Sequence, residues 1–162
     1  MSGAKHYNPV PTIGTTRNVV VIDATGLVLG RMATHVAKHA IEGDEVHIVN
    51  AERAIVVGSS KKAIQEHYLQ KRHVGTMRKG PFFPREPHLM VKRTCRGMIN
   101  YQSSAGRAAY KRIKAHIGVP KELAGQKALD LPAAKRAART YLTVAEISGW
   151  LGSNRAQKLV EA

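Results

Sequence analysis

The run Val19-Val20-Val21-Ile22 is β-branched throughout, and after a turn at Asp23 to Gly26 the apolar residues fall at helical spacing (Leu29, Met32/Ala33, Val36, Ala40). Gly43 stops that pattern, and Val46 to Val49 restores a strand-like run. An uninterrupted β-branched run suits a strand buried on both faces, as in a parallel sheet. Two strands joined through a helix lie parallel, with a crossover expected to be right-handed. Residues 19–49 therefore read as a βαβ unit, which places the chain in the α/β class.

The remaining elements are shorter. Ala54 to Val57 reads as another strand or a buried turn, and Ser59 or Ser60 can cap a helix to about Lys71. That helix would carry Ala63, Ile64, His67 and Tyr68 on one side. A loop marked by Gly75, Gly80, Pro81, Pro84 and Pro87 follows, then helices over 87–98 and 104–113. Ala115 to Val119 reads as a short strand before Pro120. Residues 121–138 should be helical in pieces, and the last twenty should form two short helices. The expected organisation is one domain over 1–162, with an irregular segment at 1–17, a core at 18–120 and a helical extension at 121–162.

Charge singles out one part of this frame. Residues 71–114 hold twelve Lys and Arg (Lys71, Arg72, Arg78, Lys79, Arg85, Lys92, Arg93, Arg96, Arg107, Lys111, Arg112 and Lys114) against one carboxylate, Glu86. The rest of the chain holds fourteen against ten, so +11 of the formal +15 lies in this segment. Ordinary soluble surfaces intersperse both signs. A segment nearly free of carboxylates is suited to a polyanion, where neutralised phosphates release condensed counterions. Seven of the twelve are arginines, whose planar forks match phosphate oxygens and stack on bases.

Other motifs are better explained without chemistry. Gly26-x-x-x-Gly30-Arg31 opens a helix after a strand, where phosphates bind, but it lacks dinucleotide spacing and a Walker lysine. It reads as a tight turn with close helix packing, from which Arg31 could still reach an external phosphate. Ser59-Ser60-Lys61-Lys62 has the S-x-x-K spacing of some acyl-transfer enzymes without their partner elements, so it reads as a helix cap. His35 and His39 share a helix face without completing zinc spacing, and Asp23 and Glu52 near strand ends do not make a hydrolytic pair. Cys95 lies between arginines that could lower its pKa, but a small buried hydrophobe is the simpler role. A single cysteine, no apolar leader and no apolar run near the ~20 residues of a membrane span favour a soluble cytoplasmic protein. Residues 143–162 scan like a helix-turn-helix, but only Arg155 and Lys158 would be basic in its second helix, so a docked helical hairpin is preferred. No cofactor, no metal, no membrane and no small-molecule substrate are expected.

Two groups of residues also carry a resemblance. Val21-Ile22-Asp23-Ala24, Leu29-Gly30-Arg31-Met32-Ala33, Val49-Asn50-Ala51-Glu52 and Gly58 resemble the first half of the large-subunit ribosomal protein L-thirteen family. Arg96-Gly97-Met98-Ile99, Gly106-Arg107-Ala108-Ala109 and Gly118-Val119-Pro120 resemble its second half, in the correct order over about residues 18–120. Ile99-Asn100 stands where the family usually has Leu-Pro. Gly118-Val119-Pro120 is more similar to archaeal or eukaryotic members. The resemblance implies a three-layer α/β/α fold with a small, mainly parallel sheet. It also implies a non-catalytic role in building the large subunit, early in assembly, with large-subunit ribosomal RNA and neighbouring ribosomal proteins as partners. In that setting Met98 is expected to anchor its helix in the core while Arg96 points outward to RNA.

Overall fold

The computed structural model describes residues 18–75, 80 and 82–154. Strand β1 (Val19–Asp23), helix α1 (Leu29–Glu42) and strand β2 (Glu45–Val49) form the expected βαβ unit, with β1 and β2 parallel and Val20 opposite Val46. β4 (Ile113–Ala115) adds parallel to β2, giving the order β1-β2-β4. Parallel partners in register project to the same face. Val20, Ile22, Val46, Ile48, Ile113 and Ala115 therefore face the main apolar cluster, against α1, α3 (Pro87–Gly97) and α4 (Ser104–Arg112). α1 contributes Met32, Ala33, Val36 and Ala40, all fully buried, and ends where Gly43 at φ 115° donates its N–H to the His39 carbonyl.

The opposite sheet face is only half apolar. Val21 and Val49 meet Leu123 from a 3-10 turn (Lys121–Leu123), while Glu45, His47 and Lys114 are also there and Val19 is 49% exposed. The expectation that β1 is buried on both faces thus holds for Val21 and Ile22 but not for Val19. β1 stands at the edge of the ladder, and β-branched shape satisfies the pleat whether or not a second layer covers it.

β3 (Ile55–Val57) pairs antiparallel with β5 (Tyr141–Thr143), a strand the sequence reading missed inside the C-terminal extension. The pairing carries α5 (Val144–Trp150) back onto the core, where Val144 and Ile147 are fully buried. A reciprocal capping box between Thr143 and Glu146 starts it. α2 (Lys61–His73) is capped by Ser60, whose Oγ accepts the Ala63 N–H at 3.1 Å, as expected for the S-x-x-K element. The strand expected at 115–119 lies instead at 113–115, directly after α4, because Ile113 leaves helical dihedrals with no breaker in between. Residues 121–138 contribute 3-10 turns (Lys121–Leu123 and Pro132–Ala134) rather than longer helical pieces. The second helix expected near the C-terminus falls mostly on 155–162, outside the described residues.

Candidate nucleic-acid interface

The basic segment folds into the end of α2, the loop before α3, and helices α3 and α4. Lys71 and Arg72 lie in the last turn of α2, Arg96 in that of α3, and Lys111 and Arg112 in that of α4. Cations there complement the negative end of each helix dipole, and none of the three helices has an acidic residue in its first turn. Arg78 and Lys79 fall outside the described residues.

The cations are interleaved with aromatic rings, which the sequence reading had not picked out. Among the described residues, Lys71 sits 5.4 Å over Tyr68 and Arg93 sits 5.0 Å over Phe83. Lys92 sits 5.1 Å over Tyr110 and Arg96 sits 4.0 Å over Tyr101. The rings also meet each other: Tyr68 and Phe83 edge to face at 5.7 Å, Tyr101 and Tyr110 at 5.4 Å. Two cation–aromatic clusters thus flank α3, one toward α2 and one toward α4. Each pair is worth about 0.5–1 kcal/mol at an exposed site, and the rings hold long side chains in place before any ligand arrives.

Glu86, the one carboxylate of the segment, is turned away. Its Oε1 accepts the Ser153 hydroxyl at 2.9 Å, and next to it the Ser148 hydroxyl donates to the Arg85 carbonyl. The segment's one carboxylate is therefore engaged with the C-terminal part of the chain and pairs with none of the cations in the ion pairs found among the described residues.

Not every expected cation is equally available. Arg112 donates to the Ala40 carbonyl at 2.9 Å, tying α4 to the end of α1, and Lys114 forms an ion pair with Glu45. Arg85 approaches the Gly152 carbonyl at 3.5 Å, and Arg31 donates to the Ala133 carbonyl at 3.3 Å. Lys71, Arg96, Arg107 and Lys111 are exposed, Arg72 and Lys92 are half-buried, and the half-buried Arg93 donates to the Phe82 carbonyl at 3.3 Å.

Met98 is not the anchor expected of it. It lies 43% exposed just past the end of α3, and Met90, Val91, Cys95 and Ile99 fill the core instead. Arg96 is exposed as expected. Burial also decides Cys95: desolvation pushes its thiol up to about 12, so the flanking arginines do not activate it.

The residues that carry the family resemblance have structural work of their own. Asn50, at φ 52°, donates its side-chain amide to Asp23 at 3.0 Å, and Thr25 donates to the same oxygen. Burial raises the Asp23 pKa, but these hydrogen bonds and the Arg53 charge outweigh it and hold the carboxyl below its usual value. Glu52, 6% exposed, accepts the Gly118 N–H at 3.1 Å, and Asn50 N–H donates to the Gly118 carbonyl. Asp23 and Glu52 thus hold loops together rather than forming a reactive pair. Gly26 takes φ 68° as a tight turn requires, but a Cβ at Gly30 would meet nothing within 4 Å, so close packing does not explain that glycine. His39 lies near Glu42 and Asp44, and its Nδ1 is 3.2 Å from Asp44.

The Ribosomal protein L13 family model matches residues 17–122. The chain belongs to the ribosomal protein L13 family. "Large ribosomal subunit protein uL13" of Archaeoglobus fulgidus is 40% identical over 147 residues, covering 88% of this chain and 92% of that protein. The protein of the same name from Methanococcoides burtonii is 41% identical over 138 residues, covering 83% and 99%. That of Sulfolobus acidocaldarius is 39% identical over 145 residues, covering 86% and 97%. These archaeal relatives agree with the archaeal or eukaryotic character of the Gly118-Val119-Pro120 motif. Members of this family are structural proteins, not enzymes. Among the described residues no helix is long and apolar enough to cross a membrane.

Proposed function

We propose that this L13-family chain is a structural constituent of the large ribosomal subunit that binds large-subunit ribosomal RNA through α2, α3 and α4. The observation that carries the reading is the pairing of cations with aromatic rings along a segment, 71–114, whose one carboxylate, Glu86, accepts the Ser153 hydroxyl. Lys71, Arg72, Lys92, Arg93, Arg96, Arg107 and Lys111 would make the principal phosphate contacts. Arg31, Arg85, Arg112 and Lys114 would contribute at the margin, together with Arg78 and Lys79, which lie outside the described residues. A-form RNA hides its major-groove edges, so shape and phosphate contacts dominate such recognition. In this reading the chain works as one domain over 1–162, joins the subunit early in assembly beside neighbouring ribosomal proteins, and resides on cytoplasmic ribosomes.

Binding of the full chain to large-subunit ribosomal RNA at a series of salt concentrations tests this. Each phosphate-contacting cation replaced by alanine should flatten the slope of log affinity against log salt by about one unit. Replacing Lys92, Arg93 and Arg96 without changing the slope would refute the assignment of the face.

A further inference from the structure

Between the last turn of α2 and the outer side of α3 lies an open cleft of about 370 Å³, lined by Tyr68, Lys71, Val74, Phe83, Arg93 and Gly97. Its size falls at the lower end of the roughly 300–1,000 Å³ typical of small-ligand sites. Phe83 stands edge to face against the largely buried Tyr68, and Arg93 lies over the Phe83 ring while donating to the Phe82 carbonyl at 3.3 Å. Lys71 guards the Tyr68 side. Val74 is 64% exposed beside these cations. Space over the backbone of Gly97 is also open, since a Cβ there would meet nothing within 4 Å.

A phosphate backbone alone would use the cations and leave the apolar walls idle. A nucleobase with its own phosphate uses both: the ring needs a flat or apolar wall, and the phosphate needs the ammonium and the guanidinium. Bases pulled from a stack bind proteins in this manner, on aromatic rings and arginine planes. We propose that the cleft receives one unpaired, extruded nucleotide of the bound RNA. Its base lies against Phe83 and Val74, and the adjoining phosphates lie on Lys71 and Arg93. The inference rests on the RNA-binding reading and adds to it: the α2–α3 side captures an unpaired residue, whereas the α3–α4 side follows the backbone.

The test is a fluorescence titration of the full chain with an RNA hairpin carrying a single bulged 2-aminopurine, and with the same hairpin fully paired. The bulged hairpin should bind about fivefold tighter or more, with quenching of its fluorescence as the base stacks. Free 2-aminopurine ribonucleotide should not bind at the same concentrations. Gly97→Phe, which fills the cleft without altering charge, should abolish the preference for the bulge and leave binding of the fully paired hairpin, with its salt slope, unchanged. Should that variant misfold by circular dichroism, the wild-type comparison of the two hairpins still decides. Equal, salt-dependent binding of both hairpins would overturn the cleft assignment while leaving the RNA face in place. Tight binding of the free nucleotide would overturn it in favour of a small-ligand site. Absence of saturable binding to either hairpin would overturn the cleft assignment, and absence of binding to large-subunit ribosomal RNA as well would sink both readings.

Discussion

Gly106→Ala should destabilise this protein, although glycine inside a helix is ordinarily a weakness. In an open helix the change gains up to about 1 kcal/mol. Gly106 occupies the first turn of α4, where its N–H donates to the Ser103 cap at 3.0 Å and the same hydroxyl donates to the Asn100 carbonyl at 2.9 Å. A Cβ there would press on the Asn100 carbonyl oxygen, lie 2.6 Å from the carbonyl carbon and 3.1 Å from Ser103 Oγ. These atoms cannot swing aside as a side-chain tip could, because Ser103 N–H also bonds to the Asn100 carbonyl at 3.2 Å. Overpacking of this kind costs about 1–3 kcal/mol, and loss of the cap costs about 1 more. Set against the propensity gain, the net loss is about 2 kcal/mol, or roughly 4–8 °C in melting temperature for a chain of this size. Thermal melts by circular dichroism, with Gly97→Ala as the control, measure it directly. Gly97 lies in the last turn of α3 with open space around it, so its change should be neutral or slightly stabilising. Gly106→Ala melting at or above the wild type would refute the argument that the Asn100 carbonyl requires glycine at this position.

The other consequences follow from the same geometry. Met98→Asp should cost under about 1 kcal/mol in chemical denaturation because the side chain is largely solvated, whereas Ile99→Asp should cost about 3 kcal/mol or more by burying an unpaired charge. Cys95 should resist iodoacetamide in the native protein at about pH 8 and label rapidly once denatured; brisk native labelling would contradict its burial. His116, held below its usual pKa by desolvation and then by His47, Lys114 and His88, is disfavoured in its charged form in the folded state. Its contribution is therefore intact above the unfolded value of about 6.5 and lost as pH falls from there toward the folded pKa. The denaturation midpoint should decline across that window, and His116→Asn should flatten the decline.

What the sequence made legible was local. Periodicity and punctuation located the βαβ unit, a helix cap at Ser59 or Ser60 and the helix opening at Pro87, each decided by residues a few positions apart. β5 was not legible because three residues carry no periodicity, and only pairing with β3 makes them a strand. Met98 was misplaced because α3 ends at Gly97 and the chain turns, so Ile99 rather than Met98 meets the core. At the candidate interface the charge was visible at once, but its aromatic partners were not. Lys92 meets Tyr110 from another helix, and Arg93 meets Phe83 from the stretch before α3, so neither pair lies within a single helix or strand. Glu52 was likewise visible as part of a motif, while its purpose depends on Gly118 far along the chain.

The central claim is that cations of α2, α3 and α4 attach the chain to the large subunit. Its most direct test is sedimentation of a tagged chain in sucrose gradients of cell lysate. Lys71, Lys92, Arg93, Arg96 and Arg107 are reversed together to glutamate, with Arg112 and Lys114 kept for their internal bonds. The wild type should travel with large subunits, and the reversed protein, folded by circular dichroism, should remain at the top of the gradient. A folded reversed protein that still sediments with large subunits would contradict the account.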